Sequence, residues 1–164
     1  MNNNKKSFFT KFIDIIHYLV YSQIDFEKTV RFRDLEGVKY ALTSKELRNN
    51  IDIHHMNDIG IRWACRYGYM EIVEYLLTSK ELTEHANIHA CNDESFKFAL
   101  ENKNEKLLKY LIFDINIDKT HYIEEHLKTY PNAQVEEWFK IKNLNNELKN
   151  ELTSNLTRVK RSKI

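Results

Sequence analysis

Glycine and proline are scarce, with three and one in 164 residues. Tight turns and β-hairpins draw on both, so the composition leans helical and away from an all-β fold. Cysteine is scarce too. Cys65 and Cys91 are too few for a disulfide framework and form no CxxC pair, which implies reduced thiols and a cytoplasmic location. Charge of one sign is not in excess: 25 Lys and Arg stand against 24 Asp and Glu. No global field therefore recruits nucleic acid or an anionic membrane, and binding of that kind needs a local patch. Long apolar runs are missing as well. The stretch MNNNKKSFFTKFIDIIHYLVY is broken by Lys11, Asp14 and His17, and nothing approaches the ~20 residues of a membrane span.

Catalytic motifs are absent in the same way. The sequence has no Gly-rich phosphate loop, nucleophile elbow, HExxH or kinase-like set, so the chain reads as a non-enzyme with no cofactor. Glu124-Glu125 and Glu136-Glu137 read as solvated charges, not as an acid and base pair. His85, His89 and Cys91 lie close together, with His54 and His55 in the matching stretch upstream. Zinc sites prefer tighter ligand pairs, and His89 repeats His54, so no metal site is expected.

What the sequence does contain is a repeat. Residues 31–65 align with 66–100 without a gap, and fifteen of the 35 positions are identical. Arg31 matches Arg66, Glu36 matches Glu71, Val38 matches Val73, Tyr40 matches Tyr75 and Leu42 matches Leu77. Thr43-Ser44-Lys45-Glu46-Leu47 recurs intact as Thr78-Ser79-Lys80-Glu81-Leu82, and Ile53-His54 and Asn57-Asp58 recur as Ile88-His89 and Asn92-Asp93. A third, diverged copy carries Leu107-Leu108-Lys109-Tyr110-Leu111-Ile112 where the second has Ile72 to Leu77. Within a unit, apolar spacing predicts one helix over about 59–67 and another over about 69–77, with Gly68 between them where a positive φ is easiest. Helix pairs this small cannot bury their apolar faces alone, so neighbours must stack.

The stretch from Asn57 to Leu77, Asn-Asp-Ile-Gly-Ile-Arg-Trp-Ala-Cys-Arg-Tyr-Gly-Tyr-Met-Glu-Ile-Val-Glu-Tyr-Leu-Leu, resembles the core of an ankyrin repeat. It has the alanine before the inter-helix glycine and the paired aliphatics after it. The Thr-Pro-Leu-His signature is replaced by Ile59-Gly60-Ile61-Arg62 and, in the next copy, by Glu94-Ser95-Phe96-Lys97. The period is 35 residues against about 33 for the family, which implies that the second helix or its following loop is extended through Thr-Ser-Lys-Glu-Leu and that the hairpin is reduced. Repeats of this style resemble those of large DNA viruses, phages and some bacteria. The resemblance implies an all-α solenoid of about three to four helix pairs over residues 24–140. Residues 8–23 serve as an N-terminal capping helix with Phe8, Phe12, Ile15, Ile16 and Leu19 on one face, and 141–164 as a helical extension and basic tail, within a single domain over 1–164.

In the last copy, Tyr122, Ile123 and Leu127 read as a first helix, and Pro131 as the start of a long second helix with Val135, Trp138, Phe139 and Ile141 on its apolar face. Leu144, Leu148, Leu152 and Leu156 continue at four-residue spacing. That spacing drifts from a coiled-coil seam, which favours packing back on the last repeat over a zipper, with self-association as the alternative to a monomer.

The resemblance further implies a protein-binding module that recognises a protein, a host protein under the viral reading, through a concave face. There the copies differ most: His55, Met56, Arg62, Arg66 and Tyr69 become Ala90, Cys91, Lys97, Glu101 and Asn104. His55, Met56, Arg62, Arg66, Tyr69, Lys97 and Glu101 are the expected partner-binding residues. The rival reading is nucleic-acid binding by Arg158, Lys160, Arg161 and Lys163 together with Arg62, Arg66 and Lys97, with Trp63 and Tyr67 as stacking rings. Trp63 aligns with Phe98, which assigns it to the core instead. An enzyme with a site assembled from distant residues is a third and weaker reading.

Overall fold

A computed structural model describes residues 26–44, 47 and 51–161, with side chains described as far as 155. The capping helix expected over 8–23 lies outside them, as do the side chains of the basic tail. Residues 26–31 are helical (α1). They are followed by α2 (Leu35–Thr43), α3 (His55–Tyr67), α4 (Met70–Thr78), α5 (Ala90–Glu101), α6 (Glu105–Lys109), which continues as a π-helical turn over Tyr110–Asp114, α7 (His121–Thr129) and α8 (Ala133–Arg161). The fold is all-helical, as the repeat implies, and the described residues contain no strand. Two compact units are present, residues 1–98 and 99–164, with the division inside α5.

In the first unit, α3 and α4 form the helix pair read from the repeat. Ile61, Ala64 and Cys65 on one helix and Ile72, Val73 and Leu76 on the other have no exposed surface. Gly68 joins them in the left-handed region at φ 70°, and its N–H bonds back to Ala64 and Cys65 carbonyls. One period earlier, the equivalent turn is held by Arg33 at φ 59°, a conformation that costs a side-chain-bearing residue roughly 1 kcal/mol or more. Asp34 follows it and accepts the Gly37 N–H at 2.9 Å, capping α2. α1 approaches α3 closely at Gly60, where an added Cβ would sit 3.0 Å from the Phe26 ring.

The repeated Thr-Ser-Lys-Glu-Leu does not lengthen the second helix. Ser44 and Ser79 are already extended at the ends of α2 and α4, so the additional residues go into the loop. In the second copy the Ala86 N–H closes that loop on the Leu76 carbonyl at 3.0 Å.

The segment that replaces the Thr-Pro-Leu-His turn has its own regular geometry, and it appears twice. His54 N–H donates to Asp52 Oδ1 at 2.8 Å and His89 N–H to Asn87 Oδ1 at 3.0 Å, while Ile53 and Ile88 are buried. Three consecutive left-handed residues follow in each copy: Met56, Asn57 and Asp58, then Cys91, Asn92 and Asp93. Asn and Asp tolerate this region best, and each triplet ends on a buried aspartate. Right-handed helix then begins at Ile59 and Glu94. His54 Nδ1 donates to Asp58 Oδ1 at 2.8 Å, and His89 Nδ1 pairs in the same way with Asp93. Asp58 Oδ1 also accepts the Asn87 N–H at 2.7 Å, so the carboxylate at the start of one repeat stitches it to the next.

In the second unit, Leu107, Leu108, Leu111 and Ile112 pack in a core with Ile123, Leu127, Val135 and Phe139. The Ile117 N–H closes a shorter loop on the Leu111 carbonyl at 3.1 Å. Thr120 caps α7 through the Ile123 N–H at 3.1 Å. α8 starts two residues after Pro131, because Asn132 Oδ1 accepts the Gln134 and Val135 N–H groups at 3.2 and 3.1 Å. One buried cation is central here. Lys142 Nζ donates to the carbonyls of Asn116 and Ile117 at 3.1 and 2.5 Å and to Asp118 Oδ1 at 3.0 Å, fixing the loop before α7 to α8.

Two expectations for this unit change. Ile141 is exposed and does not share the buried face of Val135, Trp138 and Phe139, and Leu144, Leu148 and Leu152 are exposed and do not pack back on the last repeat. At about 100° per residue the buried face of α8, formed by Val135, Trp138, Phe139 and Lys142, lies roughly a third of a turn away from the leucines.

Two substitutions test these anchors. Lys142→Ala leaves two loop carbonyls without their donor and should cost about 2–4 kcal/mol, read as a lower urea midpoint of unfolding. Asp58→Ala removes the stitch and should cost about 2–3 kcal/mol. Adding His54→Ala to it should cost little more, because the two side chains act through one bond network.

Candidate functional site: the two ends of the first repeat helix

The expected partner-binding residues fall into separate groups. His55, Met56 and Arg62 lie at the start of α3, with Lys97 at the equivalent position of α5. Arg66 and Tyr69 lie at the other end of α3, about 10 Å along the right-handed helix from Ile59. Glu101 belongs to the second unit, where its carboxylate accepts the Tyr130 hydroxyl at 2.5 Å and holds that phenol above its ordinary pKa.

At the start of α3 the charged side chains reach toward neighbouring repeats. His55 Nε2 lies 3.5 Å from Glu27 Oε1, and His54 Nε2 lies 3.7 Å from Glu84 Oε2. Arg62 donates from Nε to Glu94 Oε2 at 2.6 Å and from Nη1 to the Met56 and Asn57 carbonyls at 2.8 and 3.2 Å. The guanidinium therefore supports the left-handed triplet from which Met56 projects, exposed, into solvent.

At the far end, arginines stack on aromatic rings of the next repeat. Arg31 lies 5.1 Å over Trp63, and Arg66 lies 5.0 Å over Phe98. Both members of the second pair sit 35 residues after those of the first, so one cation–π rung is repeated between successive first helices. Trp63 and Phe98 are half-buried under these guanidinium groups, not enclosed in the core as the alignment suggested. Tyr69 stacks on Tyr67 at 5.5 Å between centroids, lies 5.8 Å beneath Arg33 and donates its hydroxyl to the Arg31 carbonyl at 3.4 Å. Arg33 also pairs with Glu71 at 3.1 Å.

Two exposed residues beside this group stand outside the expected partner-binding set. Phe32 is 80% exposed and Tyr67 48%. They occupy equivalent positions one period apart, each immediately before the left-handed turn residue. That placement was visible in the alignment: an aromatic directly before the helix-ending turn has no core to enter.

The arrangement offers little to catalysis. Burial pushes the Cys65 thiol up to about 12, only partly offset by the Ser95 hydroxyl, so it stays protonated and inert. His54, His85 and His89 are committed to Asp58, the Ser79 carbonyl and Asp93. An open groove of about 510 Å³ runs between Leu42–Thr43, Ile51–Ile53 and Glu81–Glu84, and it is lined by the carboxylates of Asp52, Glu81 and Glu84 and the hydroxyls of Thr43 and Thr83. Among the described residues, no helix is long and apolar enough to cross a membrane.

Neither a curated protein nor a solved structure matches the chain. Residues 61–93, from the second turn of right-handed α3 to the aspartate that opens the next first helix, match the family model described as ankyrin repeat. With the same helix pair and the same turn recurring at 35-residue spacing around that match, the chain carries a divergent ankyrin repeat.

Proposed function

We propose that this chain is a non-enzymatic protein-binding module whose partner docks along α3, contacting His55 and Met56 at its start and Arg66 and Tyr69 at its end. In the next repeat Lys97 stands at the position of Arg62 and Glu101 at that of Arg66. The observation that carries this reading is the exposure of large apolar side chains, Met56, Phe32 and Tyr67, on a backbone held by inter-repeat bonds. Aromatic and arginine anchors on a preorganised surface are what protein interfaces use, because little entropy is lost on docking. The style of the repeats supports a host protein as the partner, and the two free cysteines, Cys65 and Cys91, support the cytoplasm as the place of action.

The nucleic-acid reading has less behind it. Arg62 is spent on Glu94, which leaves Arg66, Lys97 and the basic tail as its support.

The test is affinity capture from the native source, with and without nuclease and at two salt concentrations, followed by titration of the captured protein with variants. Met56→Asp and Tyr67→Ala should each weaken binding about tenfold or more without shifting the unfolding midpoint. Arg62→Glu is unsuitable, since a second carboxylate beside Glu94 would disturb the repeat itself. Loss of all captured material on nuclease treatment would give the role to the tail. Unchanged affinity in both variants would remove the α3 surface.

A further inference from the structure

The C-terminal helix carries a second surface that the repeat face does not use. α8 runs for 29 residues, about 43 Å, and every residue from 147 to 155 is exposed. A helical stretch this short is marginal in water without tertiary packing. Along it, Ile141, Leu144, Leu148 and Leu152 are 42–63% exposed. Their spacing of three, four and four residues confines them to an arc of roughly 80°. The result is a narrow apolar stripe, clear of the face that buries Val135, Trp138 and Phe139.

We propose that this stripe is a dimerisation surface for a second copy of the chain, paired antiparallel about a two-fold axis near residue 146. The stripe is self-complementary in that direction. Leu144 faces Leu148 of the partner subunit, and Ile141 faces Leu152 of the partner subunit, so all four apolar residues on each side are covered. Charge selects the same arrangement. On the flank of the stripe, Lys140 falls beside Glu151 of the partner subunit, twice by symmetry. The sequence places Glu136 and Glu137 at one end of α8 and Arg158, Lys160 and Arg161 at the other. An antiparallel pair sets the acidic end of each helix against the basic end of its mate, whereas a parallel pair sets like against like. Within one subunit, Glu136 is paired with Lys119 and Glu137 with Lys140 at the surface. Four apolar residues a side bury less than the ~1,200 Å² of a standard stable interface, so the dimer is reversible, with dissociation on the order of micromolar.

Sedimentation equilibrium on the full chain, from about 1 μM to several hundred micromolar, should show a monomer–dimer equilibrium. Leu148→Glu should make the chain monomeric with an unchanged circular dichroism spectrum. Lys140→Glu should weaken the dimer about tenfold, and adding Glu151→Lys should restore it. For direction, Cys91→Ser chains carrying Ile141→Cys should form disulfide dimers with Cys91→Ser chains carrying Leu152→Cys, and neither should cross-link with itself. A monomer at every concentration overturns the proposal, as does failure of the charge swap to restore association. Self-cross-linking at position 141 or 152 overturns the antiparallel arrangement.

Discussion

The carboxylate of Asp58 accepts three tasks at once. It fixes the His54 ring, ends a run of left-handed residues and receives a backbone N–H from the following loop. Take it away and the left-handed triplet has no reason to persist, since three such residues together cost a few kcal/mol. The start of α3 then loses its direction, and with it the placing of Arg62 against Glu94 and of Arg66 over Phe98. The stacking of apolar faces supplies most of the stability of a repeat, but it is not directional. The buried bond from aspartate to the next loop is directional, and it sets the register in which those faces meet.

Much of this was legible in the sequence, and the reason differs from residue to residue. The helix pair over 59–78 could be read because its apolar spacing, its glycine and its recurrence all agree. Gly68 at φ 70° is where the alignment put a positive φ. The loops were harder. His54, Asn57 and Asp58 stood out only as recurring letters, because a hydrogen bond from a loop carboxylate to a backbone group 29 residues on leaves no local pattern. Arg33 in a left-handed turn was equally hidden, since nothing in its own residue type asks for that conformation.

The C-terminal helix shows the opposite limit. Val135, Trp138 and Phe139 were read as an apolar face and are buried. Ile141 continues the pattern and is exposed, because a helix can carry two apolar arcs and the sequence does not say which one its own core will take. Lys142, directly after Ile141 in the sequence, is buried by three acceptors from a loop 24 to 26 residues upstream. Hydrophobic periodicity has no term for a lysine that belongs inside. Of the expected docking residues, Met56 is exposed, while Arg62 and Tyr69 already hold the repeats in place.

The arginine–aromatic rung bears on how such a chain can change length. The module between the two rungs brings both the ring that receives the preceding arginine, Trp63 under Arg31, and the arginine that covers the following ring, Arg66 over Phe98. A whole module can then be copied in or dropped out without orphaning half of a contact, whereas a partial insertion would break one. In the sequence both halves lapse together, with Glu101 in the arginine's position and Ala133 in the ring's. Modular exchange is therefore confined to the N-terminal copies, and the C-terminal segment is free to diverge into something that is no longer a repeat.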